Sequence, residues 1–289
     1  MSAVRESPRL LFVPVSGPFG MGEYARSLGI ARAVRARWPQ ADIRFLLSRE
    51  APYAADAPVA ATLLPASPTL CSTEVIAAIG ELRPDVVIFD NAGRTAQLRA
   101  ARAAGAAIVF ISARPRQRRR AARLRWLRLI DEHWIAYPQL FAAAPGPLEG
   151  LKRRLAGRPA PRYLDVVLPP ADPARRAALL NELDLDEAPA LVVPGGGTGH
   201  PGADGALEAF RASASAIAAA GTPTLYVGPG GDASSATLRC RASLPQPDLI
   251  EAMRAARLVI ANGGSTMLQA IASGAACIAV PIAADQRAR

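Results

Sequence analysis

The sequence predicts an α/β protein made of two doubly wound domains that face a cleft. Three observations carry this expectation. Short β-branched runs alternate with helical patterns along the chain, a proline- and glycine-rich stretch interrupts them near the middle, and glycine-rich turns follow strand patterns in both halves. A chain of 289 residues is comfortable for two domains of ordinary size. The expected boundaries are 1–140 for the first domain, 141–172 for a linker region and 173–289 for the second.

Composition narrows the class. The chain is 51% hydrophobic but only 5% aromatic, so its helices are expected to pack through small side chains. No run of about eighteen apolar residues occurs, and the N-terminus lacks a signal pattern, which predicts a cytoplasmic protein. Cys71, Cys240 and Cys277 are widely spaced, which argues against a disulfide framework and against a zinc site. The net charge of +10 is local: Arg114, Arg116, Arg118, Arg119, Arg120, Arg123, Arg125 and Arg128 lie within one acid-free segment.

In the first half, Leu10 to Val15 reads as a strand and is followed by a glycine-rich loop, Ser16 to Gly22. A helix from about Glu23 to Arg37 has Tyr24, Leu28, Ala31 and Val34 as its inner stripe. The glycines of the loop do not reproduce the dinucleotide fingerprint, and the only lysine, Lys152, is outside any phosphate-binding loop. Glu23 opens the helix. It is either a general base for an acceptor hydroxyl or water, or a negative charge placed against the helix dipole.

Asp42 to Leu47 is the second strand pattern, Thr62 to Leu64 a short third, and Ser72 to Arg83 a helix with Ser72 or Thr73 as its cap. Asp85 to Phe89 is a buried strand that delivers Asp90-Asn91 to its carboxyl end. Asp90 is a second candidate base, or the N-cap of a helix beginning near Gly93. Ile108 to Ile111 is the next strand. From Arg116 to Ile130, Ala121, Leu124, Leu127 and Ile130 space as the apolar stripe of one basic amphipathic helix, with Trp126 at its flank. Such a helix fits an anionic membrane surface or acceptor, or is a solvated face. Aromatic stacking residues are not interleaved, so nucleic acid is not expected. His133, inside the short strand His133 to Tyr137, reads as a packed or capping histidine.

Beyond the proline-rich break, Pro173 to Leu183 is helical and Ala190 to Val193 a buried strand. Gly195-Gly196-Gly197-Thr198-Gly199-His200 then forms the densest glycine segment, either an anion nest or a mobile lid. A helix, Ala203 to Ala220, a strand, Thr224 to Val227, an extended segment, Leu238 to Leu244, and a helix, Asp248 to Ala256, follow. The stretch from Arg257 to Gln286 organises the rest. A β-branched run ends at Asn262, Gly263-Gly264 make a tight turn, and a helix begins with Ser265 or Thr266 at its N-cap. Its free N–H groups and dipole are a seat for phosphate. Cys277 to Ile282 is the last strand, and Asp285-Gln286 lies at its carboxyl end.

This last stretch resembles the donor-binding half of the GT-B glycosyltransferases, which pair two Rossmann-like domains, and in particular the UDP-sugar glycosyltransferases and the enzymes that add N-acetylglucosamine to the lipid-linked peptidoglycan precursor. Gly263, Thr266, Gln269 and Gly274 match the spacing of the family's diphosphate- and ribose-binding pattern, and Asp285-Gln286 matches its later sugar-holding segment. Gln269 stands where many members carry a ribose-binding carboxylate, which implies a grip that is weaker or of different specificity. The opening Gly20-Met21-Gly22-Glu23-Tyr24-Ala25-Arg26-Ser27-Leu28 is similar to that of the nucleotide-sugar hydrolases of the pseudaminic acid pathway, with Glu23 in place of a histidine.

The resemblance implies metal-independent transfer of a sugar from a nucleotide-diphosphate sugar, UDP above other nucleotides, to an acceptor hydroxyl. No cofactor beyond this co-substrate is implied. Gly195, Gly196, Gly197, Thr198, His200, Gly263, Gly264, Ser265, Thr266, Gln269, Asp285 and Gln286 would hold the donor, Gly20, Gly22 and Arg26 would shape the acceptor side, and Glu23 or Asp90 would be the base. The acceptor is expected to be lipid-linked or anionic, with the arginines from Arg114 to Arg128 touching the membrane. Two alternatives stay open, a hydrolase using water and a non-catalytic binding subunit. The second is motivated by Arg289 following so soon after Gln286, where the family continues through further helices.

Overall fold

The computed structural model describes residues 7–18, 21–113, 115–139, 141–142, 144–185, 188–195, 205–230, 234–282 and 286. The chain divides into two units, Met1–Val167 and Leu168–Arg289. The site expectations at Gly20, Gly196, Gly197, Thr198, His200 and Asp285, and the arginine at 114, lie outside the described residues.

The first unit is a parallel sheet covered on both faces. Its strands are β1 (Arg9–Pro14), β2 (Asp42–Ser48), β3 (Ala60–Leu64), β4 (Val86–Asp90), β5 (Ala107–Ser112), β6 (Glu132–Ile135) and β7 (Arg162–Tyr163). They lie in the order β3-β2-β1-β4-β5-β6-β7, with every described pairing parallel. Side chains alternate between the faces of a strand, and β1 makes the division plain. Leu11 and Val13 enter a core with Val75 and Ile79 of α2 (Ser72–Leu82), Leu98 of α3 (Thr95–Ala103) and Trp126. Leu10 and Phe12 enter the opposite core with Tyr24 and Leu28 of α1 (Gly22–Arg37). Near-continuous apolar strands are what two covered faces require.

Three local expectations are corrected. The amphipathic helix expected from Arg116 to Ile130 is two short helices, α4 (Pro115–Ala121) and α5 (Leu124–Leu127), because Arg123 is extended at φ −75° and ψ 135°. The break shifts the helical phase, so Trp126 turns inward and Leu124 outward. Like charges three and four residues apart repel along a continuous helix, which favours such a break. Second, the cap position of α2 is held by Cys71, with Ser72 already inside the helix. Third, within the proline-rich stretch, α6 (Pro147–Leu155) and β7 are ordinary elements of the first unit. Pro147 at the first helical position suits a helix start, where no N–H is needed.

The second unit repeats the plan with β8 (Ala190–Val193), β9 (Thr224–Val227), β10 (Leu238–Arg241), β11 (Leu258–Asn262) and β12 (Cys277–Val280) in the parallel order β10-β9-β8-β11-β12. Leu191, Val193 and Val259 pack on one face with Leu179 of α7 (Pro173–Glu182) and Met253 of α9 (Gln246–Ala255). Val192 and Tyr226 pack on the other with Phe210 of α8 (Ala206–Ala219). The unit's first segment is tied down by Glu251, whose buried carboxylate accepts from the Asp172 N–H at 2.9 Å and from Arg176 Nε at 3.1 Å. Asp172 in turn caps α7 by accepting from the Arg175 N–H at 2.9 Å.

In each sheet the strand order reverses beside the first strand, between β1 and β4 and between β8 and β11. Open α/β sheets bind ligands outside the carboxyl ends of the strands at such a reversal. Both reversals carry buried polar side chains, Asp90 and Asn91 in the first sheet and Asn262 in the second.

Candidate functional site

At the reversal of the first sheet, β1 and β4 end together, and the Val15 N–H donates to the Asp90 carbonyl at 2.9 Å. Asp90 is fully buried. Arg26 of α1 grips it with two bonds, Nε to Oδ2 at 2.8 Å and an Nη2 to Oδ1 contact of 2.6 Å, and Ser27 adds an Oγ to Oδ2 bond of 3.4 Å. Burial pushes the Asp90 carboxyl up to about 6, against the downward pull of Arg26.

Both oxygens of Asp90 are thus hydrogen-bonded, and the N-cap reading made from sequence is corrected. The carboxylate does not cap a helix, since α3 begins at Thr95 and its entry is held by Gln97 Oε1 accepting from the Arg94 N–H at 2.9 Å. Asp90 instead fixes α1 against β4.

That anchor positions Glu23, three residues earlier on the same helix and partly exposed. Its Oε1 accepts from Asn91 Nδ2 at 2.7 Å. Asn91 cannot turn away, because its Oδ1 accepts from the Ala113 N–H at 2.7 Å and its own N–H donates to the Ile111 carbonyl. It adopts φ +53°, the left-handed region that asparagine tolerates better than most residues. Gly22 opens α1 and Arg26 lies within it, so both are helix residues rather than parts of a loop. The stacked rings of Tyr24 and Tyr53, 4.2 Å between centroids, stand beside this group. Burial, and after it the Glu23 charge, raises the Tyr53 hydroxyl above its ordinary value.

His133 is accounted for by packing. Its Nε2 meets Ser112 Oγ at 2.8 Å and its Nδ1 meets the Arg153 guanidinium at 2.6 Å, all buried. Burial and the Arg153 charge hold its pKa down to about 3, so the ring is neutral and accepts from Arg153 at Nδ1.

At the reversal of the second sheet, β8 runs out through Pro194 to Gly195, and β11 ends on Asn262. Asn262 is buried and stitches the two turns together. Its Nδ2 donates to the Pro194 carbonyl at 2.6 Å, and its Oδ1 accepts from the Gly264 N–H at 2.9 Å. Gly195 sits at φ +70°, and a Cβ there would lie 2.4 Å from Asn262 Nδ2 and 2.9 Å from Thr266 Oγ1. A Cβ on Gly264 would lie 2.8 Å from Asn262 Oδ1. Only glycine lets these backbones approach so closely.

α10 (Ser265–Ala272) starts from this turn. Its cap position is Gly264, not Ser265 or Thr266, and no side chain caps it. No side chain therefore caps the N–H groups of the first turn, where the positive end of the helix dipole lies. Ser265 is exposed and Thr266 half-buried in the first turn, and Gln269 is half-buried one turn on. Gln286 returns to the same place: its Oε1 accepts from the Ile282 N–H at 2.9 Å, and its Cβ lies 3.1 Å from where a Gly263 side chain would begin. Gly195, Gly263, Gly264, Thr266 and Gln286 are thus brought together.

The asparagines Asn91 and Asn262 were not singled out from sequence. The signal was present: each ends or follows a buried strand directly before a glycine-containing turn, where an asparagine side chain bonds backbone within its reach. Among the described residues no group of three or more His, Cys, Asp and Glu side chains is placed to hold a metal ion.

No family model matches this sequence, and no curated protein matches it either. Solved structures do. The spinosyn forosaminyltransferase SpnP superposes with a TM-score of 0.62 at 18% identity, over 98% of this chain and 82% of that one. The glycosyltransferase SnogD from Streptomyces nogalater gives a TM-score of 0.58 at 17% identity, over 97% and 83%. CalG4, the calicheamicin glycosyltransferase, gives 0.56 at 17% identity, over 98% and 81%. At such identities the likeness is one of fold. The chain has the fold of the GT-B glycosyltransferase superfamily, two Rossmann-like units each with a parallel sheet.

Proposed function

We propose that this chain is a nucleotide-sugar-dependent glycosyltransferase. The observation that carries the reading is the turn at β8 and β11, where Gly195 and Gly264 leave no room for a side chain and α10 starts without a side-chain cap. Backbone N–H groups converging at a helix start fit a diphosphate. In this reading Thr266 and Gln269 hold phosphate and ribose, Gln286 with Asp285 orients the sugar, and the glycines from Gly195 to Gly197 with Thr198 and His200 bind the diphosphate. UDP is the favoured nucleotide.

The first unit supplies the base. Glu23 takes the proton of the acceptor hydroxyl, the acceptor oxygen bonds to the anomeric carbon, and the bond from that carbon to the diphosphate breaks, its electron pair leaving with the diphosphate. Helix α10 and the turn's N–H groups stabilise the leaving charge where a metal would otherwise serve. An anionic or lipid-linked acceptor fits the surplus of arginine from Arg116 to Arg128. Asp90 and Arg26 position α1.

Chromatography with mass detection of a panel of UDP-sugars incubated with the protein tests the reading. Nucleoside diphosphate released only when an acceptor alcohol is added supports transfer. Equal release in its absence, with free sugar as product, assigns a hydrolase acting through the same carboxylate, and no release with either assigns a binding subunit.

A further inference from the structure

α6 presents an apolar face that the first unit leaves open. Leu148, Leu151 and Leu155 are 63%, 51% and 72% exposed. Their spacing of three and four residues lines them along one side of the helix. The opposite side is anchored, since buried Arg153 bonds Glu149 Oε1 at 2.9 Å and His133 on β6. At about 100° per residue, Lys152 and Arg154 fall on the two flanks of the leucine stripe.

The arginine-rich segment is held beside this helix. α5 packs against α6, and Arg158, just past α6, donates from Nε to the Leu127 carbonyl at 3.0 Å and from Nη2 to the Arg128 carbonyl at 3.2 Å. The acids nearby are spent: Asp131 on Arg102 and Arg158, Glu132 on Arg162, Glu149 on Arg153. Among the described residues Arg116, Arg119, Arg123, Arg125 and Arg128 have no acidic partner, and all are exposed. Burial, and after it the charges of Arg94, Arg116, Arg123 and Arg125, pushes the Arg120 guanidinium below its ordinary value. This face is short of negative charge. A second copy of the chain would bring the same cations against themselves, whereas a sheet of phosphates beside an apolar interior complements both features.

We propose that α6 is an interfacial helix which seats Leu148, Leu151 and Leu155 among the headgroups of an anionic lipid bilayer, with the arginines of α4 and α5 on the lipid phosphates. An apolar anchor and a polybasic patch are each weak alone, and together they hold a protein at a membrane reversibly. The lysine and arginine at the flanks extend their apolar stems along the bilayer surface and keep their charges in the headgroup layer. The test is separable from sugar transfer, since flotation reads binding to lipid and not turnover, and α6 lies in neither strand-end site.

The test is flotation of the full chain with vesicles of phosphatidylcholine alone or mixed with phosphatidylglycerol, at low and high salt. The protein should float with the anionic vesicles only, and less at high salt. The double variant Leu151→Ser, Leu155→Ser should lower partitioning about tenfold or more, and Arg119→Ser with Arg123→Ser should remove much of the salt dependence. Both sets are exposed, so the melting temperature should not move. A Leu151→Trp variant should shift its emission to the blue on anionic vesicles. Absence of flotation, flotation unchanged by the serine variants, or a dimer in sedimentation that those variants abolish would each overturn the proposal, the last assigning the face to self-association.

Discussion

Replacing Glu23 by glutamine is expected to lower kcat by about 10²- to 10⁴-fold while leaving KM for the donor and the melting temperature near their wild-type values. Glutamine keeps the length of the side chain, and its carbonyl oxygen can still accept from Asn91 Nδ2, so the local geometry is retained. What is lost is the capacity to take a proton. The separation between kcat and stability matters because Glu23 also lies in the first turn of α1, where a negative charge favours the helix by less than about 1 kcal/mol. A variant with unchanged kcat and a slightly lower melting temperature would reduce Glu23 to that dipole role. Asp90→Asn does not mimic it, since its oxygens are bonded to Arg26.

The largest effect on stability is expected from Arg26→Met. It leaves a buried carboxylate without its charged partner, a loss of about 3–5 kcal/mol. For a domain of this size that corresponds to roughly 10 °C in the melting temperature of the first unit. The pH dependence identifies the cause. The folded protein already holds the Asp90 proton more tightly than the unfolded chain, at about 6 against 3.8. From about pH 4 to pH 6 this group's contribution to stability therefore falls as pH rises. Without Arg26 the folded value climbs further, so the deficit is fully present above it and shrinks as pH falls through it. Denaturant melts near pH 8 and pH 5 should show the gap to wild type closing at the lower pH, and Arg26→Met combined with Asp90→Leu should recover much of the loss. A gap independent of pH would mean that Arg26 contributes through packing alone.

The architecture was legible because parallel strands covered on both faces must be apolar nearly throughout, and runs such as Val86 to Phe89 and Ala190 to Val193 carry that signature with little ambiguity. The glycines of the second unit were legible for a related reason: close approach of backbones admits one residue type, and Gly195, Gly263 and Gly264 stand where the strands end. The role of Asp90 was not legible. An aspartate at a strand end reads alike as base, cap or structural ion pair, and the choice depends on Arg26, sixty-four residues away. The arginine segment misled for another reason. Its apolar spacing is compatible with one long helix, and the turn at Arg123 that divides it is set by burial of Trp126 against Phe110 and by charge repulsion, neither visible in periodicity. The open leucine face of α6 was hidden by composition, since proline and glycine around it suggested a linker.

In the proposed function the turn between β8 and β11 holds the diphosphate of a nucleotide-sugar donor. Calorimetric titration of UDP, with dTDP, GDP, ADP and CMP as comparators, tests it most directly when run on the wild type, Thr266→Val and Glu23→Gln. Saturable one-to-one binding of a nucleoside diphosphate is expected, weakened about tenfold by Thr266→Val, which removes one hydroxyl at the anion seat, and unchanged by Glu23→Gln. Binding of none of these nucleotides, or binding indifferent to Thr266→Val, would contradict it.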